Sequence, residues 1–207
     1  MGRLIFITLL FLIVCETFSR TIITSSPYNK VLSKYEQGFL DGKQLPFYKT
    51  IGKYDFQKYK LRVELQDKRT VLNLKKINCS NLDIKNASEF NNESTIKKVQ
   101  QYIDSLFTQS NIQIDSLSKN KLNVSLEVID SRLIGFGSIT AHGLCQIKFK
   151  FQDFERVYCI DIKDGDKNSP LSSNAIVTRR TAIRYLTSAA IREVIEQFLK
   201  EFIDMKR

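Results

Sequence analysis

Three runs of alternating apolar and polar residues inside Lys121–Asp164, followed by one long helical stripe, constrain the fold of this chain more than any other feature. Leu122, Val124, Leu126 and Val128 alternate with Asn123, Ser125 and Glu127, the period of two expected of a half-buried strand. Cys145, Ile147, Phe149 and Phe151 alternate in the same way with Gln146, Lys148 and Lys150, and Tyr158, Ile160 and Ile162 with Cys159 and Asp161. The segment Gln152–Glu155 between the last two runs predicts a hairpin. A sheet with one dry face needs a cover. Between Thr178 and Phe202, Ile183, Leu186, Ala190, Ile191, Val194, Ile195, Phe198 and Phe202 recur at helical spacing, a stripe broad enough to supply it.

Upstream, Tyr59, Leu61, Val63 and Leu65 alternate with Lys60, Arg62, Glu64 and Gln66, and Val71, Leu72 and Leu74 read as a continuation of that strand past an irregularity. Asn78–Asn92, rich in Asn, Ser and Asp, reads as a surface loop. Ile96, Val99, Ile103, Leu106 and Phe107 form a helical stripe opened by Ser94, with Lys97 and Lys98 on the wet side. Ile112 and Ile114 add a short edge strand before the turn Asp115–Asn120. The order β-α-β-β-β-α predicts an α+β two-layer sandwich: a mixed, mostly antiparallel sheet with two helices on one face, strands 61–65 and 122–128 being parallel.

A chain of 207 residues, 43% of them hydrophobic, suits one sizeable core. Residues 1–19 read as a secretory signal peptide: Arg3, the apolar run Leu4–Val14, then the more polar Cys15–Ser19. That run is shorter than the roughly 20 residues a bilayer span needs. Two processing outcomes compete, cleavage after Ser19 and lipidation at Cys15 with the signal ending at Val14. Leu12-Ile13-Val14-Cys15 approximates a lipobox, with Val14 where Gly, Ala or Ser normally stands. Residues 20–58 carry aromatics and two of the three prolines without a sustained period. They are expected to form an irregular N-terminal arm, a place for a protein partner to engage, ahead of an α+β domain at 59–207.

The formal net charge is +10, which biases partners toward anions, here anionic envelope components or a membrane surface. The basic residues are scattered, with no run of five like charges, which argues against nucleic acid. Arg179, Arg180 and Arg184 crowd the start of the last helix, beside the positive end of its dipole, and are the candidate anion contact. A second polar feature is an internal match. Leu61–Arg69 and Val124–Arg132 share their alternation and end in Asp67-x-Arg69 and Asp130-x-Arg132. Residues two apart on a strand project from one side, so each motif predicts a charge pair. Parallel strands would set both at one end of the sheet as a strand-end polar cluster, and an exposed pair there would contribute about 0–1 kcal/mol.

Signals for catalysis, metal or cofactor are weak. His142 is the only histidine, which excludes a His-rich metal site. On a strand His142 and Cys145 point to opposite faces, and Gly143 between them adds flexibility. Gly135-Phe136-Gly137 lacks the third glycine and following helix of a phosphate loop and reads as a bend between strands. Asp161, Asp164 and Asp166 around Gly165 lack the glutamate that closes a calcium loop and read as a turn. No catalytic, cofactor-binding or metal residue is assigned. A turn centred on Gln152 would set Cys145 opposite Cys159 and allow a disulfide; a turn at Gln152–Asp153 would set Cys145 opposite Ile160, the register the alternation favours.

The near-lipobox at Cys15, the first strand ending in Asp67-x-Arg69, the helix, the meander and the long last helix together resemble the YajG family of small bacterial envelope lipoproteins. More loosely the order is similar to LptE and to auxiliary lipoproteins of ABC transporters. The resemblance covers about Tyr59–Phe202 and implies a periplasm-facing accessory or binding module. The expectation is therefore an exported, envelope-associated, non-catalytic accessory or binding protein. Two alternatives stand beside it: a soluble secreted ligand carrier with an apolar cavity between sheet and helices, and a hydrolase gathering Asp67, Asp130 or His142.

Overall fold

The computed structural model describes residues 54–85, 90, 93–136, 139–166, 169 and 178–206. The signal segment, Cys15 and the arm up to residue 53 lie outside the described residues. Along the chain run β1 (Tyr59–Asp67), α1 (Arg69–Leu72), α2 (Glu93–Gln109), β2 (Ile112–Ile114), β3 (Lys121–Ile134), β4 (Thr140–Phe151), β5 (Phe154–Lys163) and α3 (Arg179–Lys206). The protein is α+β.

The five strands form one sheet in the order β2-β1-β3-β4-β5. β1 is parallel to β2 on one side and to β3 on the other, with Leu65 opposite Val124. The β3–β4 and β4–β5 pairs are antiparallel, longer, and make up most of the ladder. Between β2 and β3 the chain passes from one flank of β1 to the other, held by Asp115 N–H donating to the Leu61 carbonyl and Arg62 N–H to the Asn120 carbonyl. The hairpin turn falls at Gln152–Asp153, so Cys145 lies opposite Ile160 and Cys159 opposite Gln146.

Helices α2 and α3 share one face. Phe198 of α3 stacks on Phe149 of β4 at 4.2 Å between centroids, and Phe107 of α2 lies 6.1 Å from Phe198. Phe202 extends the ring stack toward Phe151 and Phe56. Each such pair adds about 0.5–1.5 kcal/mol beyond the area it buries. These rings lie between the sheet and the helices. Tyr54 and Phe56, at the end of the 20–58 segment, are buried in the same core.

Three local expectations are corrected. Val71 and Leu72 do not extend β1: Arg69–Leu72 is a single helical turn closed by Asn73 in the left-handed region, and both side chains are exposed. The even alternation of β3 is interrupted, because the register with β4 shifts between Leu126 and Val128. Glu127 is the extra residue of a β-bulge. Leu126 and Ile129 stay in the main core, whereas Val128 turns to the opposite face. Finally, the segment read as a surface loop from Asn78 is in its described part a cover for that second face, where Ile77 and Ile84 join Val128 and Leu144, with Leu74, Cys79 and Leu82 packed against them.

Candidate functional site

The bulge decides where the strand-end motifs point. Asp67 lies opposite Leu126 and so faces the helices. There Arg69 grips it twice, through Nε and Nη2 at 2.9 Å each, and donates from Nη1 to the Phe90 carbonyl at 2.6 Å. Past the bulge Asp130 lies opposite Leu144 and faces the other way. Its carboxylate accepts from Arg132 Nη2 and from the Lys85 backbone N–H, both at 2.8 Å, while Arg132 also donates to the Asp83 carbonyl. The two motifs do form charge pairs at one end of the sheet, but on opposite faces. They are also not exposed pairs, since Arg69 is 5% and Asp130 0% exposed. Each clamps a connecting segment onto the sheet, Arg69 at Phe90 and Asp130–Arg132 at Asp83–Lys85. Burial acts to raise the Asp67 carboxyl, but the hydrogen bonds and charge of Arg69 outweigh it and leave the group below its ordinary value.

His142 joins the second face. Its Nδ1 lies 2.8 Å from Asp161 Oδ1, and Ser80 Oγ donates to Asp161 Oδ2 at 2.6 Å. The sequence order hid this grouping, because Ser80 lies 81 positions from Asp161. Asp161 stands between the other two, so Ser80 is bonded to the carboxylate and not to the imidazole. A serine nucleophile needs its proton taken by the histidine, and this arrangement does not provide that. The hydrolase set is not gathered either: Asp67 lies on the helix face, Asp130 and His142 on the other. Cys145 is in the main core and His142 on the second face, so they do not co-ligate. Among the described residues no three His, Cys, Asp or Glu side chains are placed to hold a metal ion. Asp164 and Asp166 accept the Ala141 and Lys163 backbone N–H groups, closing the turn after β5.

The candidate anion contact sits at the start of α3. Thr178 caps the helix, its Oγ1 accepting from the Thr181 N–H at 3.2 Å. No acidic residue lies in the first turn. Arg179 and Arg180 are exposed and Arg184 is half-buried. α3 lies along β4 with Leu186 against Gly143 and Phe198 against Phe149. Those strand residues span about 20 Å and the helical ones about 18 Å, so the two elements keep step and the arginines lie toward Thr140, at the tip of the β3–β4 hairpin.

At that tip Leu133, Ile134, Phe136 and Ile139 are all exposed, Phe136 fully so. Gly135, at φ 121°, makes the bend that a side-chain-bearing residue resists. From its residues alone Gly135-Phe136-Gly137 reads as a plain bend. The available signal was that four of the residues around it are large and apolar where a hairpin loop is ordinarily polar. Clustered exposed apolar residues mark interaction surfaces more often than isolated ones do. The apolar tip and the start of α3 lie toward the same end of the sheet. No helix among the described residues is long and apolar enough to cross a membrane.

No family model matches the chain, and no curated protein matches it. Among solved structures it is similar to a minor lipoprotein from Acinetobacter baumannii, with 11% identity and a TM-score of 0.43 over 72% of this chain and 95% of that one. A Xanthomonas campestris protein of family DUF330 gives 11% identity and a TM-score of 0.43, covering 72% of this chain and 86% of that one. Rare lipoprotein B from Shewanella oneidensis gives 7% identity and a TM-score of 0.35, covering 72% and 99%. None of them lends a residue role to this chain.

Proposed function

We propose that this chain is an exported, envelope-associated accessory domain without catalytic activity, which docks on an anionic membrane surface through the edge formed by the β3–β4 tip and the start of α3. The reading is carried by the exposure of Leu133, Ile134, Phe136 and Ile139 at the β3–β4 tip, the end of the sheet toward which the pairing of α3 with β4 sets exposed Arg179 and Arg180. Apolar side chains enter the headgroup boundary while Lys and Arg meet anionic lipid, each cation contributing about 1 kcal/mol near such a surface. The net charge of +10 adds long-range attraction of the same sign. In a chain acylated at Cys15 the edge is a second membrane contact; in a chain cleaved after Ser19 it is the main one. Mass spectrometry of the N-terminus from the native host separates these forms, as diacylglyceryl Cys15 or free Arg20.

The docking reading is tested by co-flotation of the non-acylated protein with vesicles of phosphatidylglycerol and phosphatidylethanolamine, against phosphatidylcholine vesicles. Binding to the anionic vesicles is expected to fall about tenfold or more in Arg179→Glu/Arg180→Glu, which at 1.4 kcal/mol per decade is the loss of one to two cation contacts. Phe136→Ser should weaken it independently. Binding that is equal on both vesicle types, or unchanged in both variants, overturns the proposal.

A further inference from the structure

Three cysteines are described, and the structure sorts them. Cys145 is fully buried in the main core. Cys79 and Cys159 are both half-buried on the second face and carry no disulfide here, and each thiol shifts the titration of the other. Their meeting is held by neighbours on each side. Ser80, next to Cys79, donates to Asp161, two residues beyond Cys159, at 2.6 Å. The turn that carries Cys79 is closed by the Ile77–Ser80 bridge and by the Leu82 N–H donating to Ser80 Oγ. Cys159 sits opposite Gln146 in the ladder, so its side chain projects to the face that Ile77 and Leu82 cover.

From this geometry we infer that Cys79 and Cys159 are a disulfide site, joining the cover segment to β5 when the chain meets a disulfide oxidant. The inference does not rest on membrane docking. Cys159 is the first nucleophile: its thiol is lowered, chiefly by the hydrogen bond from Cys79, whereas that same contact and burial raise Cys79. The Cys159 thiolate attacks one sulfur of an oxidant disulfide, breaking that S–S bond, forming a mixed disulfide and releasing one thiolate. Cys79 then loses its proton to solvent and attacks the Cys159 sulfur, expelling the second thiolate. Two protein thiols are oxidised, one oxidant disulfide is reduced to two thiols, and the two protons end on the leaving thiolates. Such a bond persists in an exported compartment and not in a reducing cytosol. It closes a long loop, the case in which a cross-link constrains the unfolded chain most.

The test uses the full chain, incubated folded with oxidised glutathione, alkylated and digested with trypsin without reduction. The expected product is the linked pair of peptides Ile77–Lys85 and Val157–Lys163, with Cys145 recovered as a free thiol. Oxidation should raise Tm by about 10 °C, and Cys79→Ser or Cys159→Ser should abolish both the link and the shift while Cys145→Ser keeps both. Should the Cys79→Ser or Cys159→Ser chain fail to fold, the peptide map of the unaltered protein decides alone. Recovery of Cys79 and Cys159 as free or glutathione-capped thiols, or a link to Cys145, overturns the inference.

Discussion

Gly143 and Leu186 meet backbone to backbone: a Cβ on Gly143 would lie 2.2 Å from the Leu186 carbonyl carbon and 2.3 Å from the Thr187 nitrogen. From the sequence alone this glycine is expected to add flexibility. Its use is the absence of a side chain, which lets α3 descend onto β4. Neither partner is the movable end of a side chain, so a methyl group there forces the layers apart. Gly143→Ala is expected to cost about 3 kcal/mol, the upper end of overpacking penalties, read as a lowered urea midpoint. A change within 0.5 kcal/mol would show that the close approach is not needed.

The Asp67–Arg69 clamp gives a pH dependence of definite sign. Asp67 is held below its ordinary 3.8 by Arg69 against the effect of burial. A carboxyl lowered by folding contributes stability that is complete above its unfolded value and is lost as pH falls through its folded value. Unfolding in urea at pH 7 and pH 3 should therefore show the native protein losing stability on acidification, and Asp67→Asn losing less. Arg69→Met should cost about 3 kcal/mol at pH 7, because it strands a buried carbonyl at Phe90 and an unpaired carboxylate. An Asp67→Asn protein with the same acid dependence as the native one would refute the assignment.

In the middle of α3 an ionic group lies inside the protein. Arg192, 0% exposed, donates to Glu193 at 2.9 Å and Glu196 at 3.1 Å, and both glutamates are buried. Removing one partner of a buried pair costs more than the pair itself contributes, because the other charge is left uncompensated. Arg192→Met is expected to lose about 3–5 kcal/mol, and Arg192→Met/Glu193→Gln/Glu196→Gln to recover part of that. Denaturant titration of the two variants decides it. A loss of under 1 kcal/mol in the single variant would mean that the group behaves as a surface pair.

Much of this architecture was legible in the residues. The period-two runs located β1, β3, β4 and β5, the helical stripes located α2 and α3, and Tyr158, Ile160 and Ile162 favoured the hairpin register, found in the structure, that separates Cys145 from Cys159. What failed did so for local reasons. Val71 and Leu72 are apolar and adjacent to a strand, which periodicity alone reads as more strand. Arg69 instead turns the chain out of the sheet to grip Asp67. Arg192, Glu193 and Glu196 lie outside the apolar stripe of α3, yet the helix is buried there too.

By itself the sequence determined the four long strands and two long helices, from their periods of two and about 3.6 residues, and the parallel pairing of β1 with β3, from the strand-helix-strand order. The pairing of Asp130 with Arg132 follows from the two-residue period of a strand, whereas Arg69 reaches Asp67 from the turn beyond β1. Tertiary structure decided the faces. One extra residue at Glu127 shifts the β3–β4 register and sends Asp130, Arg132 and Val128 to the side opposite Asp67 and Leu126. Alternation carries no marker for a bulge, because a run of apolar and polar residues reads the same whether or not one of them is left out of the ladder. The meetings of Ser80 with Asp161, of Cys79 with Cys159 and of Gly143 with Leu186 likewise depend on how a connection and a helix pack across the finished sheet. No spacing along the chain encodes them.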